Sequence, residues 1–394
     1  MKLWQRHTRA LLRFPAAALS VYRFNGYNLS PLLWGTPGKI SETKVREKQL
    51  ELSINFKCIN IKCSNTKNKT RIFLSSTLMQ TLINGLHHIT AIAGDAQRNV
   101  DFYTHILGLR MVKKTINFDA PNVYHLYYGD ETGSPGTIMT SFPHGNIPRG
   151  RKGTGQLTYT AFSIPTASLS FWIDRLNDHN IAFAGPHKRF NETYVRFDDF
   201  DGMGIELTAT DEDSRQGWAN GPVSGEFSIR GFHTVTLNEA NPDATIKLLT
   251  QSMEHTLIAE EAGRFRFGAV NATPGNFVDI QHSPGELRGH QGAGSVHHVA
   301  FSTDNHETQV TIREKLIDDG YMPTEILDRQ YFKSIYYREP GGILFEIATN
   351  PPGFSVDEPI ETLGQALKLP EWYESRRTQI EAGLPIIKLN RHDS

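Results

Sequence analysis

The sequence predicts an α+β fold built from four copies of a module with the order strand, helix and three strands. Four short apolar segments have the character of buried strands, and their polar residues His88, Tyr159, His233 and His298 recur at intervals of 71, 74 and 65 residues. Each copy then continues with helical periodicity and ends in an apolar strand that contains or follows glycine. The 394 residues suffice for two or three domains, which fits modules paired two by two.

The module boundaries are expected where the chain becomes polar and rich in glycine. The runs 144–155 and 211–228 lack hydrophobic periodicity, and the second is the predicted linker between domains. The resulting division is an N-terminal extension 1–78, module 1 at 79–150, module 2 at 155–212, module 3 at 229–284, module 4 at 294–350 and a C-terminal tail 351–394.

Each module is expected to contain one helix. In module 1, Asp95 is a suitable N-cap residue, and Gly108 suits the left-handed position that follows a helix. Apolar periodicity predicts further helices near 168–179, 243–253 and 307–319. The tail shows only a short helical stretch near 370–382, and we expect it to cover a domain edge.

The extension differs from the rest of the chain in charge. Residues 1–78 contain 14 lysines and arginines against 3 acidic residues, whereas the remainder contains 27 basic and 39 acidic residues. The extension is interpreted as a disordered or transit-like segment, or as sequence upstream of a true start at Met79. The second interpretation is favoured because module 1 begins only a few residues later.

Composition also bears on partners and location. The acidic modules do not favour nucleic-acid binding, which requires a concentrated basic surface. No apolar run approaches the roughly 18 residues of a membrane span. Both cysteines, Cys58 and Cys63, lie in the extension, so the modules have no thiol and a cytoplasmic location is expected.

A carboxylate in the last strand of module 4 is the first sign of a functional site. Glu346 lies within the apolar run 341–348, where a charge is costly to bury unless it is paired or binds a metal. An arginine salt bridge and a metal site are both open interpretations at this point.

Several motifs together resemble the vicinal oxygen chelate superfamily, which includes glyoxalases, bleomycin resistance proteins and extradiol dioxygenases. Within it, the chain is most similar to hydroquinone-type ring-cleaving dioxygenases. The matching stretches span about residues 79–355 and are Leu86-His-His-Ile-Thr90, Tyr124-His-Leu-Tyr-Tyr-Gly-Asp-Glu131, Gly133-Ser-Pro-Gly-Thr-Ile-Met-Thr140, Gly150-Arg-Lys-Gly153, Arg230-Gly-Phe-His233, His297-His298, Asp328-Arg329, Tyr336 and Pro340-Gly-Gly-Ile-Leu-Phe-Glu346.

The resemblance implies a fold and a chemistry. The modules would pair into two cup-shaped mixed-sheet domains, one of which holds Fe(II) through His88, His298 and Glu346. Two imidazoles and one carboxylate on one face of iron leave adjacent positions for an aromatic diol and O2. The positions expected to activate the substrate or support the ligands are Tyr336, Arg329, Thr90, His87 and His297. A homo-oligomer is compatible with this family.

Strand alternation gives a further expectation for the two histidine doublets. Successive side chains point to opposite faces, so one ring of each doublet should enter the cup and its neighbour should lie on the other face. From that face His87 and His297 would position the strand or the ligand. His125 is interpreted as a structural histidine.

The module pairing decides between two ligand sets. If modules 1 and 4 pair, His88 meets His298 and Glu346, whereas pairing of modules 3 and 4 would bring His233 there instead. The twin doublets and the hydroquinone-type resemblance favour the first arrangement. A second cup would then contain Tyr159, Glu206, His233 and Asp279, and no catalytic iron is expected in it.

Two other functions remain open on the same scaffold. A metal-dependent lyase or isomerase of glyoxalase type would usually need a fourth protein ligand, and module 1 ends in Thr140 and Ser141 where that ligand would lie. A protein that binds aromatic or quinone compounds without catalysis is the second alternative, since fold does not fix function.

Overall fold

The computed structural model describes residues 60–64, 71–75, 81–269 and 272–389. The chain divides into two compact units, Met1–Met79 and Gln80–Ser394. In the first unit, strands β1 (Asn60–Ser64) and β2 (Arg71–Ser75) pair antiparallel. Apart from these strands, the predicted extension lies outside the described residues.

The second unit contains sixteen strands in its described part. In chain order they are β3 (Gly85–Ala93), β4 (Arg110–Asn117), β5 (Ala120–Gly129), β6 (Ile138–Pro143), β7 (Gln156–Ile164), β8 (Phe183–Arg189), β9 (Glu192–Asp198), β10 (Gly204–Ala209), β11 (Gly231–Glu239), β12 (Thr256–Glu261), β13 (Arg264–Gly268), β14 (Phe277–His282), β15 (Ser295–Thr303), β16 (Leu327–Asp328), β17 (Lys333–Arg338) and β18 (Leu344–Thr349).

These strands form two eight-stranded mixed sheets. The first has the order β16-β17-β18-β15-β3-β6-β5-β4, and the second β12-β13-β14-β11-β7-β10-β9-β8. At the centre of each sheet the opening strands of two modules run antiparallel, while each opening strand pairs parallel with the last strand of its own module. The predicted α+β fold of paired, curled modules is confirmed. Module 1 pairs with module 4 in the first sheet, and module 2 pairs with module 3 in the second.

The α-helices are short, and four lie between strands while the last two follow β18 in the tail. They are α1 (Ala96–Asp101), α2 (Leu169–Asp178), α3 (Asp243–Lys247), α4 (His306–Asp318), α5 (Glu371–Glu374) and α6 (Arg377–Gly383). Asp95 caps α1 as predicted, its side chain accepting a hydrogen bond from the Arg98 amide at 2.8 Å. α1 and α3 each continue into a π-helical turn, Phe102–Ile106 and Leu248–Ser252. None of the helices in the described part of the chain is long and apolar enough to cross a membrane.

The C-terminal tail packs across module 1. Lys113 on β4 is fully buried, and its ammonium group lies 2.7 Å from Asp357 and 2.8 Å from Glu358. Farther along, the Tyr373 hydroxyl donates to the carbonyl oxygen of Phe118 at 3.0 Å. Because Phe118 lies in the turn between β4 and β5, the tail holds that turn in place.

Candidate metal centre

Three potential ligands meet on the concave face of the first sheet. His88 comes from β3, His298 from β15 and Glu346 from β18. Antiparallel pairing puts His298 opposite Thr90 and His88 opposite Ala300, while Ala300 pairs in parallel with Glu346. The register therefore brings together side chains that are far apart in sequence.

The ligand atoms form a small triangle. His88 Nε2 lies 3.2 Å from His298 Nε2 and 3.3 Å from Glu346 Oε2, and the third edge measures 3.0 Å. Bonds of about 2.1 Å, as small divalent metals make, place adjacent octahedral ligands about 3.0 Å apart. Within the described part of the chain, these residues are the one cluster of three or more histidine, cysteine or acidic side chains with this spacing.

Glu346 supplies an independent test of whether a metal fits. Its side chain is fully buried, and Ser334 donates a hydrogen bond to Oε1. Oε2 has no hydrogen-bond partner among the described residues and points at the two Nε2 atoms. An unsatisfied buried carboxylate oxygen is costly, and a divalent cation between these three atoms would satisfy it.

Protonation states also suit a metal. Burial alone would raise the pKa of Glu346, but the adjacent rings of His88 and His298 hold it well below the usual range. Burial lowers the pKa of His298, and Glu346 opposes that effect. A carboxylate and neutral imidazoles are the forms that bind Fe(II) and similar ions.

The expected alternation within the histidine doublets is wrong, because each doublet contains a β-bulge. In the pairing of β3 with β15, the register skips His87 on one strand and His297 on the other. The extra residue disrupts the alternation of faces locally. The Nδ1 atoms of His87 and His88 thus lie 2.9 Å apart, and those of His297 and His298 2.7 Å apart.

Each bulged histidine is therefore a direct partner of its neighbouring ligand. Burial lowers the pKa of His87 to about 3 and that of His297 to about 4, so both rings are neutral near pH 7. A neutral imidazole that accepts the Nδ1 proton of the next ring leaves the Nε2 lone pair free for a metal.

The other predicted residues surround the triangle. Tyr336 on β17 pairs in register with Glu346, and its hydroxyl oxygen accepts a hydrogen bond from Arg329 Nε at 3.2 Å. Burial and the charge of Glu346 raise the pKa of the Tyr336 phenol. Arg329 also reaches Asp119, at 3.2 Å. Thr90 accepts a hydrogen bond from the Thr140 hydroxyl at 2.8 Å.

A cavity of about 380 Å³ opens onto the ligands. It is lined by His88, Asn117, Phe118, Asp119, His125, Tyr127, Phe142, His297, His298, Thr324, Leu327, Arg329, Phe332, Tyr336 and Leu344. Phe332 packs against the rings of His88 and His87, with centroids 5.0 and 5.1 Å away. An apolar slot with a few polar groups matches the form of a small aromatic ligand.

Sequence reasoning missed four of the residues around the centre, namely His125, Tyr127, Phe332 and Ser334. His125 was interpreted as structural, yet it lines the cavity and bonds both Tyr127 and Thr140. The available signal was the spacing of His125 and Tyr127, two residues apart on a strand and therefore on one face. Phe332 and Ser334 carry no comparable signal.

Comparison with known proteins decides the family. The model of the Glyoxalase/Bleomycin resistance protein/Dioxygenase superfamily matches residues 85–207 and 231–347. The chain belongs to this superfamily.

Two curated relatives indicate the class of enzyme within the superfamily. The chain is 44% identical over 300 residues to a Bacillus subtilis (strain 168) protein, MhqO, which its name assigns to the ring-cleaving dioxygenases; the match covers 76% of this chain and 95% of that protein. It is 34% identical over 309 residues to the chlorohydroquinone/hydroquinone 1,2-dioxygenase of Sphingobium indicum, covering 76% of this chain and 95% of the relative. The predicted enzyme class, a ring-cleaving dioxygenase, is confirmed.

A solved structure supports the same assignment. A Bacillus subtilis protein whose crystal structure is titled as that of a dioxygenase matches with a TM-score of 0.76 and 42% identity, covering 79% of this chain and 99% of that one.

In this superfamily member the second cup has a different interior. Glu206 is fully buried between Arg189, at 2.8 Å, and Arg196, while Arg266 lies 2.7 Å from Asp279. The guanidinium of Arg196 also lies 3.9 Å from the centre of the Tyr159 ring. Arginines therefore neutralise both carboxylates at positions related to Glu346.

His233 does not replace His88. It lies on β11 in the second sheet, and its Nε2 is 3.0 Å from Glu192. The register between β7 and β11 skips His233, so this residue corresponds to the bulged His297 and not to the ligand position.

Proposed function

We propose that this enzyme is an Fe(II)-dependent, extradiol-type dioxygenase that inserts O2 into a hydroquinone or related aromatic diol. The observation that carries the proposal is the triangle of His88, His298 and Glu346, whose edges of 3.0 to 3.3 Å fit one face of an octahedral ion. An iron ion held by these three residues would supply the redox chemistry needed for a diol to react with O2.

The ligands are held in advance by their neighbours. His87 and His297 orient the two imidazoles through Nδ1, and Ser334 fixes one oxygen of Glu346. Such support keeps the ligand atoms close together before the ion arrives, which lowers the cost of forming the site.

Tyr336 and Arg329 would stabilise the negative charge on the substrate's ring oxygen. Arg329 donates to the Tyr336 oxygen, which leaves the Tyr336 hydroxyl hydrogen free to bond a ring oxygen. The guanidinium beside it favours a deprotonated oxygen on the diol. Phe332, Phe142 and Leu344 form apolar walls that hold the ring and exclude water.

The name of one relative supports the proposed substrate class. The Sphingobium indicum protein is named for chlorohydroquinone and hydroquinone. The identity of 34% over most of both chains supports a hydroquinone substrate here as well.

One position argues against the alternative function, a metal-dependent lyase or isomerase of glyoxalase type. Thr140 pairs with Thr90 in β3 as Glu346 pairs with Ala300 in β15, so Thr140 occupies the place of a fourth ligand. Its hydroxyl is engaged by Thr90 and His125, and a threonine is a poor ligand for Zn²⁺ or Ni²⁺.

Oxygen uptake tests the proposal. The full-length protein is loaded with Fe(II) under nitrogen and then mixed with air-saturated hydroquinone, methylhydroquinone or catechol. We expect uptake with the hydroquinones, lost in His88→Ala and retained in His233→Ala. No uptake with any diol despite one iron per chain would overturn the proposal.

A further inference from the structure

Two phenols face the cavity from related positions in modules 1 and 4. Tyr127 on β5 pairs with Thr140, and Tyr336 on β17 pairs with Glu346. Both side chains line the cavity that opens onto the ligands. The two halves of the cup therefore each present one tyrosine to the same small ligand.

The hydroxyl of Tyr336 is left as a donor. Its oxygen accepts the hydrogen bond from Arg329 Nε at 3.2 Å. A phenol whose oxygen is already engaged by a guanidinium offers its O–H to the cavity.

The hydroxyl of Tyr127 is instead an acceptor toward the cavity, which follows from a chain of hydrogen bonds. The Thr140 hydroxyl donates to Thr90 at 2.8 Å, so the Thr140 oxygen must accept the proton from His125 Nε2, 2.9 Å away. A neutral imidazole with its proton on Nε2 has a lone pair on Nδ1. Tyr127 lies 2.8 Å from that Nδ1 and donates its own hydrogen to it.

The neutral state of His125 agrees with its surroundings. Burial, followed by the charges of His88 and His298, lowers the pKa of His125 well below its usual value. Its ring lies between Tyr127 and Phe142, with centroids 4.0 and 4.4 Å away, which fixes its orientation. With its hydrogen committed to His125, Tyr127 presents only oxygen lone pairs to the cavity.

We propose that the oxygen of Tyr127, whose own hydrogen is bound by His125, accepts a hydrogen bond from the substrate hydroxyl that does not bind the metal. The inference rests on the proposed function and deepens it, since it assigns the residues that select a diol with a distant second hydroxyl. A hydroquinone has such a hydroxyl. A catechol that chelates with both oxygens has none left to donate, and a 4-alkoxyphenol has the oxygen without the proton.

Binding without turnover tests the assignment. Affinities of hydroquinone and 4-methoxyphenol are measured by calorimetry on the Fe(II)-loaded full-length protein under nitrogen. We expect the wild type to bind hydroquinone about tenfold more tightly, the size of one hydrogen bond in a dry site. Tyr127→Phe should reduce this ratio to about one by weakening hydroquinone binding alone.

His125→Leu should give a gain in affinity for one ligand, which a merely structural role of His125 would not produce. Without its acceptor, the Tyr127 hydroxyl can rotate and donate to the methoxy oxygen, so 4-methoxyphenol should bind more tightly than it does to the wild type. The matched control is Tyr128→Phe. The Tyr128 hydroxyl donates to Asn99 at 2.8 Å in the core, so this variant should keep the wild-type ratio.

Two results would overturn the assignment. One is an unchanged affinity ratio in Tyr127→Phe, and the other is an equal loss of affinity for both ligands. If Tyr127→Phe does not fold, the His125→Leu variant decides on the same ratio. Failure of the proposed function is a separate result, because it appears as absent oxygen uptake by a wild type that still binds these phenols.

Discussion

The Nε2 atoms of His88 and His298 lie 3.2 Å apart, although 210 positions separate the two residues. The contact depends on the antiparallel pairing of β3 with β15, and a third strand brings Glu346 to the same point. If these three residues hold the metal as proposed, a change to any one of them should be seen first in metal content.

Metal binding should depend on His88 and not on His233. We expect His88→Ala to lose stoichiometric Fe(II) and the rise in melting temperature that Fe(II) gives the wild type, because a ligand that binds only the folded state stabilises it. His233→Ala, altered in the second cup, should retain one iron per chain. Elemental analysis and anaerobic thermal unfolding measure both quantities. Equal iron loss in the two variants would contradict this assignment.

The bulged histidines should tune metal affinity without binding the metal. His297→Gln removes the imidazole that holds His298 Nδ1 at 2.7 Å, and we expect a 10- to 100-fold weaker affinity for Fe(II). Competition with a chelator measures the change. His290→Gln, at an exposed position, is the control and should behave as wild type. An unchanged affinity in His297→Gln would show that the contact is incidental.

The second cup should contribute stability and not chemistry. Glu206→Gln leaves Arg189 and Arg196 without their buried counter-charge, which typically costs about 3–5 kcal/mol. We expect urea unfolding at a lower midpoint with unchanged iron content. The exposed pair of Arg313 and Glu325 supplies the control, because Glu325→Gln should leave the midpoint unchanged. Loss of iron in Glu206→Gln at full stability would refute this division of roles.

Stability should fall as pH rises because of Glu239. Burial, together with the charge of Glu339, raises the pKa of Glu239 to about 8 from an ordinary value of 4.5. The folded state thus holds a proton that the unfolded chain releases, so the free energy of unfolding should decrease between about pH 4.5 and pH 8. Glu239→Gln should flatten that decrease, as measured by urea unfolding across this range. The exposed Glu260→Gln should leave it intact.

The tail should influence substrate affinity through Asp357. Its carboxylate accepts hydrogen bonds from Gln330 at 2.8 Å and Tyr331 at 2.9 Å, and the turn they hold also carries Arg329 and Phe332. We expect Asp357→Ala to raise KM for the diol about tenfold, since both hydrogen bonds to this turn are lost, with iron content unchanged. Steady-state oxygen uptake measures KM. A variant that lost iron but kept its KM would contradict the link.

Periodicity in the sequence predicted the modules, and the family resemblance predicted that His88, His298 and Glu346 lie together. Periodicity locates the opening strands, and a carboxylate in an apolar strand announces a buried partner. The bulges at His87 and His297 were not predictable, since an extra residue appears only when two strands pair. The same reason explains why His233 looked equivalent to a ligand.

The arginines of the second cup illustrate another limit. Arg196 lies ten positions before Glu206, but Arg189 and Glu206 meet only through the order of β8, β9 and β10. Nothing in the sequence distinguishes these arginines from solvated ones. The hydrogen bonds that orient Tyr127 are also a property of three adjacent strands and not of one motif.

The nesting of modules 2 and 3 between modules 1 and 4 has a consequence for biosynthesis. The inner modules are neighbours along the chain, so their sheet can close as soon as both have left the ribosome. The outer sheet must wait for β18, near the end of translation, while β3 has already emerged with its pairing edge uncovered. Early strands that wait for late partners are prone to aggregate. The nascent chain is thus most vulnerable along the very strand that carries His88.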